Sequence, residues 1–292
     1  MQEKYSIYDS DLKYKKLRNI DPSKINWESE EQQKLFYEEN TDSLDYRLKE
    51  CIEKNNGDML DLSHMELKQI PILPENVTRK IKYLFLNNNN LNDISGIEKY
   101  INMEVLDIEY NNIASLAGLP KGLIELNCKY NQIVNIPHIE KLVRLECGNN
   151  KIWKLCTYEN LETLSCSENR IQSFPPYPRI RKLICEKNMV NIIENYPTLE
   201  YLNCSYNNVE KIADCPKLVD MLCRNNKLKE LPDGMSNLKY LEIFNNKISK
   251  LYYYPNLKEL FCDSDGISQI SKMYRIEKSN VYSNEKCYIT FK

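Results

Sequence analysis

The sequence predicts a right-handed solenoid of α/β-type repeats, with a parallel β-sheet on the concave face and extended or 3₁₀ segments on the convex face. Three observations carry this expectation. Six cysteines, Cys128, Cys147, Cys166, Cys185, Cys204 and Cys223, stand 19 residues apart without a slip. Each lies in one frame, Leu-x-x-Leu-x-Cys-x-x-Asn-x-Ile, as in Leu123-Ile-Glu-Leu126-Asn-Cys128-Lys-Tyr-Asn131-Gln-Ile133. A fixed period near 20 residues with such a frame marks a stack of short repeats. The third observation is the back half of each unit, which is too short for a full helix. Several units close it with Tyr-Pro or Cys-Pro, at Tyr177-Pro178, Tyr196-Pro197, Cys215-Pro216 and Tyr254-Pro255. Proline fixes φ and disfavours helix at the preceding residue.

The elements follow in chain order. Residues 1–56 form a charged, partly helical N-terminal region. Ser29-Glu-Glu-Gln32 is a capping-box pattern that opens a helix through about Asn40. A second helix runs from Asp42 to about Asn55, with Leu44, Leu48, Cys51 and Ile52 on one face and Gly57 as its stop. It is placed to cap the solenoid, whose terminal rungs would otherwise expose core and sheet edge. Residues 57–271 are the solenoid: a degenerate repeat from Leu60 to Pro71, then ten regular ones beginning at Ile81, Met103, Leu123, Leu142, Leu161, Ile180, Leu199, Leu218, Leu238 and Leu257. The first half of each alternates apolar and polar residues and reads as a strand. An asparagine recurs at the ninth position, from Asn89 to Asn246, with Asp265 closing the series. Its amide has two donors and an acceptor, enough to satisfy backbone groups where each strand turns. The tyrosines of the back halves are expected to cover the edges of the core. Residues 272–292 leave room for a short C-terminal cap.

The cysteine column reads as packing. With Cys262 it has seven members, and other repeats place Leu86, Ile108 and Ile243 at the same position, so the thiol serves as a small hydrophobe. Side chains stacked in parallel keep Cβ atoms near the rung spacing of ~4.8 Å, beyond the ~3.8 Å a disulfide prefers. A straight column also cannot surround a metal tetrahedrally. Free buried thiols fit a reducing cytoplasm.

Composition and motifs exclude other classes. With 42% hydrophobic and 28% charged residues and a net charge of -2, the chain has no general attraction to nucleic acid or anionic lipid. No apolar run approaches a membrane span, and the start lacks a secretory leader. His64 and His138 have no ligand partners at useful spacing, and no glycine-rich phosphate motif occurs. Cys262 and Asp265 belong to the structural columns. No catalytic residue, metal or cofactor is expected.

The informative surface is the concave sheet, read at the third, fifth, seventh and eighth positions of each frame. Repeats two to five are acidic, with Asp107, Glu109, Glu125, Glu146 and Glu168 only partly offset by Lys129 and Arg144. Repeats six to ten are aromatic and apolar, with Ile184, Tyr201, Tyr206, Leu222, Tyr240, Phe244 and Phe261. Phe85, Tyr110 and Tyr130 add aromatics near the start. A run of such residues along one face suggests a contact surface, and aromatics are common interface anchors. The expectation is a protein partner, for which the acidic repeats favour basic character, held by Phe85, Tyr110, Tyr130, Glu125, Glu146, Ile184, Tyr201, Tyr206, Leu222, Tyr240, Phe244 and Phe261.

These frames resemble the leucine-rich repeat superfamily over roughly residues 57–271. The Ile70-Pro-Ile-Leu-Pro74 run and the short period resemble the repeats of bacterial effector ubiquitin ligases, whose catalytic domain has no room here. The Asn-, Lys-, Ile- and Tyr-heavy composition is similar to that of giant-virus repeat proteins. The resemblance implies a non-catalytic, monomeric, intracellular protein-binding scaffold, cytoplasmic or in a host cytoplasm if viral. The alternatives are a ubiquitin-ligase substrate adaptor that docks through residues 1–56 and, more remotely, an enzyme.

Overall fold

Each repeat contributes one short strand of three to five residues, and these strands set the whole sheet. The structure is a computed structural model that describes residues 44–54, 57–263, 276–282 and 286–291. It opens with helix α1 (Leu44–Lys54) and strand β1 (Met59–Asp61), then the short helix α2 (Glu75–Thr78). The strands β2 (Tyr83–Phe85), β3 (Val105–Asp107), β4 (Glu125–Asn127), β5 (Arg144–Glu146), β6 (Thr163–Ser165) and β7 (Lys182–Ile184) follow, one per repeat. Next come β8 (Ile192–Ile193), β9 (Tyr201–Asn203), β10 (Lys211–Ile212), β11 (Asp220–Leu222) and β12 (Tyr240–Glu242). The chain ends with β13 (Glu259–Asp263), β14 (Ile276–Tyr282) and β15 (Lys286–Phe291).

Among the described residues the main sheet has 13 strands, in the order β1-β2-β3-β4-β5-β6-β7-β9-β11-β12-β13-β15-β14. All pairs from β1 to β13 are parallel and in register, so Leu106, Leu126, Leu145, Leu164 and Leu183 stack directly. These leucines are fully buried, as are Ile108 and the cysteines two residues on and the isoleucine or valine five residues beyond each cysteine from Cys128 to Cys204. Burying each such side chain contributes about 2 kcal/mol. The degenerate repeat supplies a true rung, since Met59–Asp61 pairs with Tyr83–Phe85.

The asparagine column closes the turns. Asn169 Nδ2 donates to Cys147 O of the preceding rung at 2.9 Å and to Cys166 O of its own at 3.0 Å. Its Oδ1 accepts from Ile152 N at 2.9 Å. The same bonds recur from Asn89 to Asn246. Without them, buried backbone groups would lack partners in every rung. Asp265 lies outside the described residues.

No helix occurs between β4 and β12. The convex side there is extended, with the short parallel pair β8–β10 and a bridge between Asn135 and Lys154. A 3₁₀ turn, Ile97–Lys99, fills the longer first regular step, from Ile81 to Met103. The convex tyrosines are interior. Tyr158, Tyr177 and Tyr196 are buried and stack at 6.3 Å between ring centroids. Their hydroxyls donate back to the preceding rung, to Pro137 O at 3.2 Å, Cys156 O at 3.2 Å and Pro175 O at 3.3 Å. Tyr254 does the same to Pro232 O at 2.8 Å.

A helix precedes the stack and a hairpin follows it. Cys51 of α1 is buried, and the helix ends where Gly57, at φ 75°, donates to Cys51 O. The helix expected from Ser29 lies outside the described residues. At the other end β15 pairs antiparallel with β13 and β14 with β15, so a hairpin occupies the edge the last repeat would expose.

Candidate functional site on the concave face

The eighth position of each frame turns the chain out of the sheet. It is left-handed in every regular rung from Asn88 to Asn245, with φ between 52° and 57°. That region is disfavoured for residues with a Cβ, and asparagine tolerates it best after glycine. Asn88, Asn149, Asn225 and Asn245 follow this rule, whereas Tyr110, Tyr130, Glu168, Lys187 and Tyr206 do not. The turn swings the three tyrosine rings to the edge of the concave face, where they are 47%, 40% and 44% exposed. Tyr110 and Tyr130 lie face to face, with centroids 4.2 Å apart and planes 6° from parallel.

Around that pair, charges are largely matched. Lys129 Nζ lies 2.7 Å from Glu146 Oε2 and 3.7 Å from Glu109 Oε1. Arg144 also bonds Glu146, with Nε at 2.8 Å from Oε1. Burial pulls the Lys129 ammonium down, but Glu146 and Glu109 outweigh it and hold it above its usual value. Burial likewise pushes Glu146 up, and Lys129 and Arg144 overcome this to hold it below the carboxylate range. Asp107 differs. Burial raises it to about 6, although the Glu109 backbone N–H bonds its carboxylate. Glu125 is half-buried, in register with Val105 and Arg144.

The aromatic half is arranged otherwise. Phe261 stands 4.5 Å from Tyr288 of β15, 5.3 Å from Tyr240 and 6.0 Å from Phe244, so these rings pack on one another and on the terminal hairpin. Tyr201 is half-buried with Lys182 Nζ 5.3 Å from its ring, and Ile184 and Leu222 are half-buried within the strands. Tyr206 carries the Arg224 guanidinium 5.3 Å from its ring centroid, and Arg224 Nη1 bonds Glu242 Oε1 at 3.0 Å. Phe85 corrects the expected accessible set. It is only 6% exposed, paired in register between Asp61 and Asp107. Arg224 and Gly148, both at the seventh position, were not singled out from the sequence, because their meaning depends on the tyrosine of the rung before.

Burial raises Cys128, Cys166, Cys185 and Cys223 well above the usual thiol value, and Cys204 to about 12. Cys51, Cys128, Cys147, Cys156, Cys166, Cys185, Cys204, Cys215 and Cys223 are free thiols. Among the described residues no group of three or more His, Cys, Asp or Glu is placed to hold a metal ion. No helix among them is long and apolar enough to cross a membrane.

Residues 79–121 match the family model for leucine-rich repeats (2 copies). No curated protein matches the sequence. Among solved structures the chain is similar to YopM from Yersinia enterocolitica, at 24% identity and a TM-score of 0.50. That alignment covers 70% of this chain and 59% of YopM, less than two thirds of its length. It is also similar to the APL1 leucine-rich repeat domain, at 16% identity and a TM-score of 0.58 over 78% of this chain and 81% of that one. A third likeness is to the octameric complex of latrophilin 3, Unc5D and the FLRT2 leucine-rich repeats, at 20% identity and a TM-score of 0.53 over 68% and 78%. At these identities the likeness shows the fold, a leucine-rich repeat solenoid.

Proposed function

We propose that the protein is a non-catalytic scaffold that binds a protein partner on its concave face. The observation that supports this reading is the tyrosine at the left-handed turn. Three rungs place an exposed ring on backbone that four others give to asparagine and two to Glu168 and Lys187. Disfavoured backbone kept in place commonly accompanies function, and exposed tyrosines suit interface contacts. Complex formation is a property of the FLRT2 structure noted above and comes here only by analogy of fold.

Affinity capture from cells tests the reading. A partner retained by the wild type and by Trp153→Ala, which removes an exposed ring elsewhere on the repeat, should be lost when Tyr110, Tyr130 and Tyr206 are all replaced by asparagine. Retention by the triple variant would move the site off the concave edge.

The finer picture extends this proposal. An excess of carboxylates in repeats two to five suits a basic partner, and free buried thiols suit a monomer in a reducing cytoplasm. If the compositional likeness to giant-virus proteins reflects origin, that cytoplasm is the host's. A ubiquitin-ligase adaptor would need a docking segment within residues 1–56. Ligase co-purification abolished by deleting residues 1–40 would support it, and unchanged co-purification would remove it.

A further inference from the structure

The repeats allow one rung to be compared with another, position by position. At Tyr206 the next rung supplies Arg224 at its seventh position, and the rung after that supplies Glu242 at its fifth. The guanidinium lies over the tyrosine ring and is held by the carboxylate. Tyr110 has the same residue types at the same frame positions, although its ring is stacked by Tyr130 and, among the described residues, no cation lies over it. Lys129 is the cation of the next rung, Glu146 the carboxylate beyond it, and the two are 2.7 Å apart.

Tyr130 breaks the series. The residue one rung on is Gly148, which has no side chain to lay across the ring. Tyr110 covers one face of Tyr130, and the opposite face looks along the stack toward the rung of Gly148 and Asn149. Among the described residues no cation lies over that ring. One rung further, in the same column as Tyr130, stands Glu168. With rungs ~4.8 Å apart, a group over Gly148 would have the Tyr130 ring on one side and the Glu168 carboxylate on the other. Lys187 Nζ bonds Glu168 Oε1 from the far side, which leaves the other oxygen as a further acceptor.

We propose that the face of Tyr130 above Gly148 receives an arginine side chain from the protein partner, stacked on the ring and directed toward Glu168. The inference rests on the concave-face reading and specifies the chemistry of its partner. Arginine fits better than lysine because the planar guanidinium both stacks on an aromatic face and bonds a carboxylate. The surrounding charge is complementary, with Asp107, Glu109, Glu125 and Glu146 outnumbering Lys129 and Arg144. The protein itself displays the geometry at Arg224.

Fluorescence anisotropy with three labelled peptides of equal length tests this. One alternates arginine with glycine, one carries lysine and one carries citrulline, which keeps the shape of arginine without its charge. The full-length wild type should bind the arginine peptide about tenfold more tightly than the citrulline peptide, the discrimination a desolvated cation–π contact supplies. Tyr130→Asn should remove that margin, and so should Gly148→Arg, which supplies the guanidinium from within the chain. The melting temperature of Tyr130→Asn should not fall, because asparagine suits the left-handed turn. A ring needed only for folding would instead lower it. Equal binding of arginine and citrulline peptides, of arginine and lysine peptides, or of wild type and Tyr130→Asn would each overturn the proposal. So would absence of binding to the wild type, and none of these results touches the concave-face reading, which stands or falls on the captured partner.

Discussion

The two halves of the concave face use their side chains in opposite ways. In repeats two to four, charges are matched within the sheet, and the rings of Tyr110 and Tyr130 are left to solvent at the edge. In repeats nine and ten, Tyr240, Phe244 and Phe261 gather against Tyr288 of the terminal hairpin. Aromatic content alone would make the second half the sticky one. Packing reverses that ranking, because a ring that closes the end of the stack is already committed.

Breaking the C-terminal cluster should have the largest effect. Phe261→Ala removes the ring that touches all three others and should destabilise the protein by about 3 kcal/mol, read as a lower urea midpoint. If stability holds and partner capture is lost instead, the two halves have been assigned the wrong way round.

A smaller effect is expected from Asp107. Its folded pKa, about 6, lies above the ordinary carboxylate value of about 4. The stability it gives is therefore present below pH ~4 and lost as pH rises through ~6. Asp107→Asn does not titrate and can still accept from the Glu109 N–H. The variant should match the wild type near pH ~4 and exceed it by about 1–2 kcal/mol at pH ~7. Parallel urea curves at the two pH values check this, and an unchanging gap would mean that Asp107 keeps an ordinary pKa.

Lys129→Met leaves Glu109 without its cation and Glu146 with Arg144 alone. The expected cost is about 1 kcal/mol at low ionic strength, shrinking as salt is added. A salt-independent loss would mean that the alkyl chain, not the charge, is what matters there. The smallest effect is chemical. Native thiol labelling should reach half-buried Cys156 first and leave the column from Cys128 to Cys223 unreacted. Cys51 of α1 is buried and should be spared as well.

The fold was legible because it is periodic. Leu126, Cys128, Asn131 and Ile133 recur at fixed offsets, and a pattern repeated ten times leaves no ambiguity about which face is interior. The helix from Asp42 to about Asn55 was legible from one apolar face, and α1 occupies most of that span. What escaped depends on neighbours in space. Phe85 sits in a concave column yet is covered by the residues beside it. Phe261 and Tyr240 read as surface because the hairpin that packs on them is not a repeat and has no period. The left-handed turn was visible in principle, since Asn88, Asn149, Asn225 and Asn245 share one column, but its meaning for Tyr130 appears only beside Gly148.

The asparagine ladder also gives the stack a direction. Each amide reaches back to the rung before it, as Asn169 does to Cys147 O and Ile152 N, so every rung is completed by its successor. Removing rungs from the front leaves the remaining turns intact, whereas removing them from the back orphans the carbonyls and N–H groups of the new last turn. Gene-level gain and loss of units should therefore be tolerated inside the array in whole 19-residue steps and resisted at its C-terminal boundary.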